Sequence, residues 1–146
     1  MDVFFRIGVA VPSDIDAFQE IEKQVFSNPW PREAFSGMFF SWAFTLLKEE
    51  EVIGYIIYSG GADEMVILNF AVRPDFQGKG LGKYLLTETM RMLYDRGIRN
   101  FYLDVRMSNF KAHSLYKKVG FEEIGIRRNY YSKPEEDAIV MGMIMK

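Results

Sequence analysis

The stretch from Asn69 to Leu93 constrains this chain more than any other: an apolar run, a glycine-rich turn, then helical spacing. It reads Asn69-Phe70-Ala71-Val72-Arg73-Pro74-Asp75-Phe76, followed by Gln77-Gly78-Lys79-Gly80-Leu81-Gly82-Lys83. From Leu81 onward the apolar residues Leu81, Tyr84, Leu85, Met92 and Leu93 recur at helical intervals. A strand that passes through glycines into a helix leaves the first N–H groups of that helix without carbonyl partners, all pointing one way. Those donors, with the positive end of the helix dipole, make a site for an anion, most often a phosphate. Glycines at alternate positions let a ligand approach the backbone with no Cβ in the way. The plainer alternative is a flexible turn leading into an ordinary core helix.

Two better-known phosphate loops do not fit. A Walker loop needs four residues between its first glycine and Gly-Lys-Ser/Thr, which this chain lacks. A dinucleotide fingerprint needs Gly-x-Gly-x-x-Gly, and Lys83 stands where its third glycine belongs. The pattern present is Gln-x-x-Gly-x-Gly. A net charge of −2 with interspersed signs gives no electrostatic case for direct nucleic-acid binding. The absence of cysteine excludes disulfides and thiolate catalysis, and a single histidine, His113, argues against a metal centre; no metal is expected. With no apolar run of membrane-spanning length and no basic start before an apolar block, a cytoplasmic protein with no membrane association is expected.

At 146 residues the chain is expected to form a single domain, residues 1–146. Phe4 to Val9 reads as a strand, and Ser13 as a helix N-cap with Asp16 three residues on. Ile15, Phe18, Ile21 and Val25 give that helix an apolar face. Asn28-Pro29-Trp30-Pro31 breaks it, and a second helix runs from Arg32 to about Phe40. Phe26, Trp30, Phe35, Phe39, Phe40 and Trp42 crowd this region. Core packing accounts for most of them, while a loop carrying Trp30 between two prolines also suits a pocket wall.

A hairpin follows, with strands Phe44–Lys48 and Val52–Tyr58 about the turn Glu49-Glu50-Glu51. After the turn Ser59–Ala62, Met65–Val72 suits a central strand buried on both faces. Arg96-Gly97 stops the long helix. Phe101–Val105 reads as a buried strand with one carboxylate, and Asn109 as the N-cap of a helix carrying Ala112, Leu115, Tyr116 and Val119. Phe121–Asn129 and Ala138–Met145 close the chain as a strand pair joined by the loop Tyr130–Asp137. The order βααβββαβαββ argues for a mixed α/β sheet flanked by helices.

Asp104 is the first candidate for chemistry. Among Phe, Tyr, Leu and Val, a desolvated carboxylate disfavours its charged form and suits a general base, directly or through water. The alternative is a carboxylate facing solvent or paired with Arg106. Tyr116 is the second, a phenol able to give a proton to a leaving group, with a core tyrosine as the alternative. His113, one turn earlier, reads as a surface residue.

Taken together, Gln77-Gly78-Lys79-Gly80-Leu81-Gly82 and Ser108-Asn109-Phe110-Lys111-Ala112 through Leu115-Tyr116 to Gly120-Phe121 resemble the GNAT acetyltransferase superfamily. Asn28-Pro29-Trp30, Asn69-Phe70-Ala71-Val72, Arg127-Arg128-Asn129-Tyr130-Tyr131 and Glu136-Asp137-Ala138 bring the likeness closest to its RimI type, the ribosomal-protein alanine N-terminal acetyltransferases. The resemblance implies a mixed, mostly antiparallel sheet with two splayed central strands and about four helices. It implies acetyl-CoA as co-substrate, with its pyrophosphate on backbone amides of the turn Gln77, Gly78, Lys79, Gly80, Leu81, Gly82 and Lys83. The pantetheine arm then pairs with Phe70, Ala71 and Val72 and touches Asn109, and the acetyl group lies between the splayed strands. Tyr116 also lines the coenzyme and protonates its departing thiolate, while Asp104 deprotonates the incoming ammonium through water. RimI-type enzymes carry glutamate at that position; the shorter Asp104 favours a bridging water, with Glu136 as a further candidate base. The partner implied is a protein or peptide N-terminus, threading between Phe26–Trp30 and the Tyr130, Tyr131 and Glu136 loop. A monomer or weak dimer is expected. Competing readings are an enzyme acting on small amines or lysine side chains, a non-catalytic acetyl-CoA-binding regulator, and a structural domain without coenzyme.

Overall fold

The computed structural model describes residues 4–38 and 42–146. In chain order its elements are β1 (Phe5–Val9), α1 (Ile15–Val25), α2 (Arg32–Met38), β2 (Trp42–Lys48), β3 (Glu51–Gly61) and β4 (Glu64–Val72), then α3 (Leu81–Tyr94), β5 (Asn100–Arg106), α4 (Phe110–Val119), β6 (Glu122–Tyr131) and β7 (Glu136–Ile144). The strands form one seven-stranded sheet with hydrogen-bonded order β1-β2-β3-β4-β5-β7-β6. β1 with β2, β2 with β3, β5 with β7 and β6 with β7 pair antiparallel, and β4 with β5 pairs parallel. The expected mixed, mostly antiparallel sheet is therefore present. The parallel ladder covers Glu64–Ile67 against Asn100–Leu103. β4 continues from there to Val72 and β5 to Arg106.

The chain divides into two compact units: Met1–Ser59 with Leu68–Thr89, and Gly60–Ile67 with Met90–Lys146. In the first, α1 places Phe18 and Ile21 on its inner face, and both pack with Phe35, Ala43, Tyr55, Ile57 and Ala71. Phe18 lies 4.7 Å from the Tyr55 ring and 6.0 Å from Phe35, so aromatic area supplies much of this core. In the second, β5 alternates strictly: Phe101, Leu103 and Val105 are buried, while Tyr102, Asp104 and Arg106 share the other face. Tyr116 of α4 and Phe121 meet edge to face at 5.8 Å.

Several expectations are corrected in detail. α1 is not capped by Ser13; a single 3₁₀ turn spans Pro12–Asp14, where the Asp14 carboxylate accepts from the Val11 N–H at 2.9 Å. Proline at the first position of that turn fixes φ and leaves no N–H to satisfy, and Asp14, at the N-cap position of α1, makes no side-chain cap hydrogen bond to the helix. The expected end of α2 at Phe40, with Phe39, lies outside the described residues. Glu51 belongs to β3, not to the preceding turn. β4 is not buried evenly, since Val66, Leu68 and Phe70 are less covered than Met65, Ile67 and Asn69. On α3, Tyr84 and Met92 face outward, and Leu86 and Met90 take the inner places with Leu81, Leu85 and Leu93. Tyr130 and Tyr131 extend β6 rather than opening a loop, because the β6–β7 ladder runs out to Tyr131 opposite Glu136. Among the described residues no helix is long and apolar enough to cross a membrane.

Candidate active site

In the first unit the glycine turn has the shape that its sequence predicts. Gly78 and Gly80 adopt φ of +78° and +81°, and a Cβ at either would meet nothing within 4 Å. Glycine is present for conformation, and the space above it is open. The N–H of Tyr84 donates to Gly80 O at 3.0 Å, which makes Gly80 the helix N-cap and leaves the amides of Leu81, Gly82 and Lys83 outside the α3 ladder. Gln77 plays a different part: its Nε2 donates to Val72 O at 2.8 Å and ties the turn to the end of β4. Lys79 and Lys83 are exposed, and the Lys79 ammonium lies 5.4 Å from the Phe76 ring centroid. Arg73, near the same ring, is engaged by Asp75 at 2.7 Å and Glu51 at 3.0 Å, and that guanidinium holds the Asp75 carboxyl below its ordinary range. These residues fit a diphosphate: open backbone donors at a helix start, with two exposed ammonium groups in the same turn.

The α1–α2 connection meets a feature that the sequence reading missed. Glu22 is 2% exposed. Its carboxylate accepts from Trp30 N–H at 2.9 Å, from Asn69 Nδ2 at 2.6 Å and from the Tyr55 hydroxyl. Burial, and then the neighbouring carboxylate, push the Tyr55 phenol far up, so it stays the donor. The signal was present, because positions 18, 21, 22 and 25 trace one helical face and an acid occupies that inward stripe. Phe26 and Trp30 are partly buried against the core, with the Trp30 ring 5.2 Å from Phe35.

In the second unit Asp104 is not a lone carboxylate among apolar side chains. Its side chain is 21% exposed, and Arg127 Nε donates to Oδ1 at 3.1 Å. The expected alternative partner, Arg106, is committed elsewhere. It donates to Pro134 O, Ser132 O and Glu136 Oε1 at 2.9, 3.1 and 3.2 Å, and lies over the Tyr131 ring at 4.4 Å. Glu136 also accepts from the Ser108 N–H, and these contacts hold its carboxyl below the usual range. It is thereby a clamp between the start of β7 and the segment before α4, and a poor proton acceptor. Tyr130 and Tyr131 meet edge to face at 5.1 Å, and Tyr130 is 53% exposed. Burial, aided by the Asp104 charge, pushes Tyr131 up to about 12. Asn109 caps α4 as predicted, its Oδ1 accepting from Ala112 N–H at 3.2 Å. Tyr116 is buried, and desolvation, then Tyr131, raises its phenol further still. It is held protonated at any physiological pH.

The chain matches the Acetyltransferase (GNAT) family over residues 15–121. It belongs to that family. Among relatives of this acetyltransferase, the [Ribosomal protein bS18]-alanine N-acetyltransferase of Salmonella typhimurium is 35% identical over 143 residues, covering 94% of this chain and 95% of that one. The crystal structure of the ribosomal-protein-S18-alanine N-acetyltransferase from Escherichia coli superposes with a TM-score of 0.92 at 33% identity, covering 98% and 95% of the two chains. That of Ard1 from Thermoplasma volcanium has a TM-score of 0.91 at 25% identity, covering 97% and 98%. The RimI-type resemblance read from the sequence thus extends over almost the whole chain.

Proposed function

We propose that this acetyltransferase moves an acetyl group from acetyl-CoA to the N-terminal α-amine of a protein, a ribosomal protein being the substrate that its relatives indicate. The observation that carries this reading is the near-full-length likeness to an alanine N-acetyltransferase. The coenzyme supplies an activated acyl thioester; the chain's own residues do the rest. Backbone amides of the Gly78–Lys83 turn hold the diphosphate, and the main chain of Phe70–Val72 orients the arm, with an N–H near Val72 facing the developing oxyanion. Asp104 receives the ammonium proton through a water, with Arg127 alongside. The amine attacks the acyl carbon, the carbon–sulfur bond breaks, and Tyr116, kept protonated by burial, donates toward the departing sulfur, while the second proton lost by the attacking nitrogen restores the neutral phenol. Holding amine and thioester in line supplies much of the acceleration.

In this reading Phe26 and Trp30 of the first unit contact the acceptor peptide, as do Tyr130 and Tyr131 of the second. A panel of short peptides varied at their first two residues, incubated with acetyl-CoA and read by mass spectrometry, tests it. Transfer to the α-amine, strongest for N-terminal alanine, is expected. Transfer to polyamines or lysine side chains but to no N-terminus would overturn it.

A further inference from the structure

Glu22 is a buried carboxylate that no step above uses. Three neutral groups donate to it: the Trp30 main-chain N–H at 2.9 Å, the Asn69 carboxamide at 2.6 Å and the Tyr55 phenol. Its neighbours in the inward stripe of α1 are Phe18, Ile21 and Val25. For packing alone, an aliphatic side chain would serve this position at lower cost, because a buried charge is tolerated only when its lone pairs are matched. The match here is geometric. Oε1 takes both donors from the sheet, Tyr55 on β3 and Asn69 on β4, while Oε2 takes the loop.

Phe26 and Trp30 pack their rings against the core, and the hydrogen bond to Glu22 adds a main-chain tie at Trp30. Trp30 stands between Pro29 and Pro31, neither of which has an N–H, so its amide is the sole main-chain donor of the three. That donor is spent on Glu22. On the other side, Asn69 immediately precedes Phe70–Val72 in β4. One carboxylate therefore sets the distance between the Trp30 backbone and the strand residue next to the coenzyme-pairing segment.

We infer that Glu22 is a positioning residue that holds the Trp30 loop in register with β4 for the acceptor peptide. This rests on the proposed peptide N-terminus as acceptor. Removing the acceptor oxygens leaves the loop amide unpaired and lets Trp30 shift, while the glycine turn is untouched. The loss therefore falls on peptide binding.

The test compares Glu22→Ala, the volume-preserving Glu22→Met and the conservative Glu22→Gln, which keeps one acceptor oxygen. For Ala and Met, the peptide KM should rise about 10-fold or more, the scale of a lost hydrogen bond to a charged group. The kcat at saturating peptide and the acetyl-CoA dissociation constant should stay within about 2-fold, and Gln should recover most of the loss. Amide exchange at Trp30 supplies a readout independent of activity: slow in the wild type, and faster in both apolar variants. An unchanged peptide KM in folded Ala and Met variants, beside an active wild type, overturns this inference alone. Equal losses of peptide and coenzyme binding would reduce Glu22 to a fold-stabilising residue and also overturn it. Should neither apolar variant fold, rapid exchange of the wild-type Trp30 amide decides against it and slow exchange in its favour. A wild type that acetylates no peptide overturns the acceptor reading, and this with it.

Discussion

A phenol and a carboxylate in one unit of this enzyme are shifted in opposite directions, and each shift has its own consequence. Burial raises Tyr116, so the neutral form persists well past the ordinary tyrosine range. Tyr116→Phe should lower kcat by about 100-fold, at the lower end of what a positioned proton donor supplies, with the peptide KM little changed. Because the phenol is held protonated, it should impose no alkaline fall in rate below about pH 10. A wild-type alkaline limb that disappears in the phenylalanine variant would refute the burial argument. Glu136 is shifted the other way by Ser108 and Arg106. Its folded value lies below the ordinary 4.5, so the clamp is complete above that pH and is lost as pH falls through the lower folded value. The Ser108 amide resonance should therefore titrate below pH 4.5 in the wild type and stay flat in Glu136→Gln. A wild-type acid profile indistinguishable from that of Glu136→Gln would remove the clamp. Sequence could name these residues but not their partners. Arg127 rather than Arg106 meets Asp104 because β6 and β7 bring it there, and such a register is invisible to spacing along one strand.

At the scale of elements, the strand–turn–helix unit was legible because each of its parts is local: apolar run, glycines of positive φ, amphipathic helix. α4 was legible for the same reason, its Asn109 cap and Gly120 stop being read from neighbours in the chain. The entry to α1 differs from the expected Ser13 cap, since Ser13 lies inside a 3₁₀ turn that begins at Pro12 and the helix starts only at Ile15. Helical periodicity likewise could not say which edge of the α3 stripe faces inward, so Met90 was missed and Met92 included. The turn itself offers the sharpest test. A Cβ at Gly80 meets no protein atom within 4 Å, so Gly80→Ala and Gly80→Asp carry a similar conformational penalty from the positive φ. They differ in charge. If amides of this turn hold the diphosphate, Gly80→Asp should raise the acetyl-CoA dissociation constant at least about 10-fold beyond Gly80→Ala, with similar melting temperatures. Equal dissociation constants by calorimetry would remove the turn from the coenzyme site.

For the whole molecule the open question is whether two compact units unfold as one. β4 passes from the second unit to the first at Leu68, and α3 passes from the first to the second after Thr89. Melting either unit therefore cuts a strand and a helix that the other also uses. Helix formation is cooperative along its length, and a strand loses its remaining ladder once half of it is released. We therefore propose that residues 1–146 unfold as a single domain. The chain carries its own reporters: both tryptophans, Trp30 and Trp42, lie in the first unit, whereas backbone circular dichroism sees helices and strands of both. Denaturant midpoints from the two signals should coincide, and acetyl-CoA should raise both together, since a ligand bound to the native state stabilises the entire cooperative unit. If fluorescence melts first and the far-ultraviolet signal retains a second transition, the shared strand and helix do not couple the units, and the chain is two domains in thermodynamic terms.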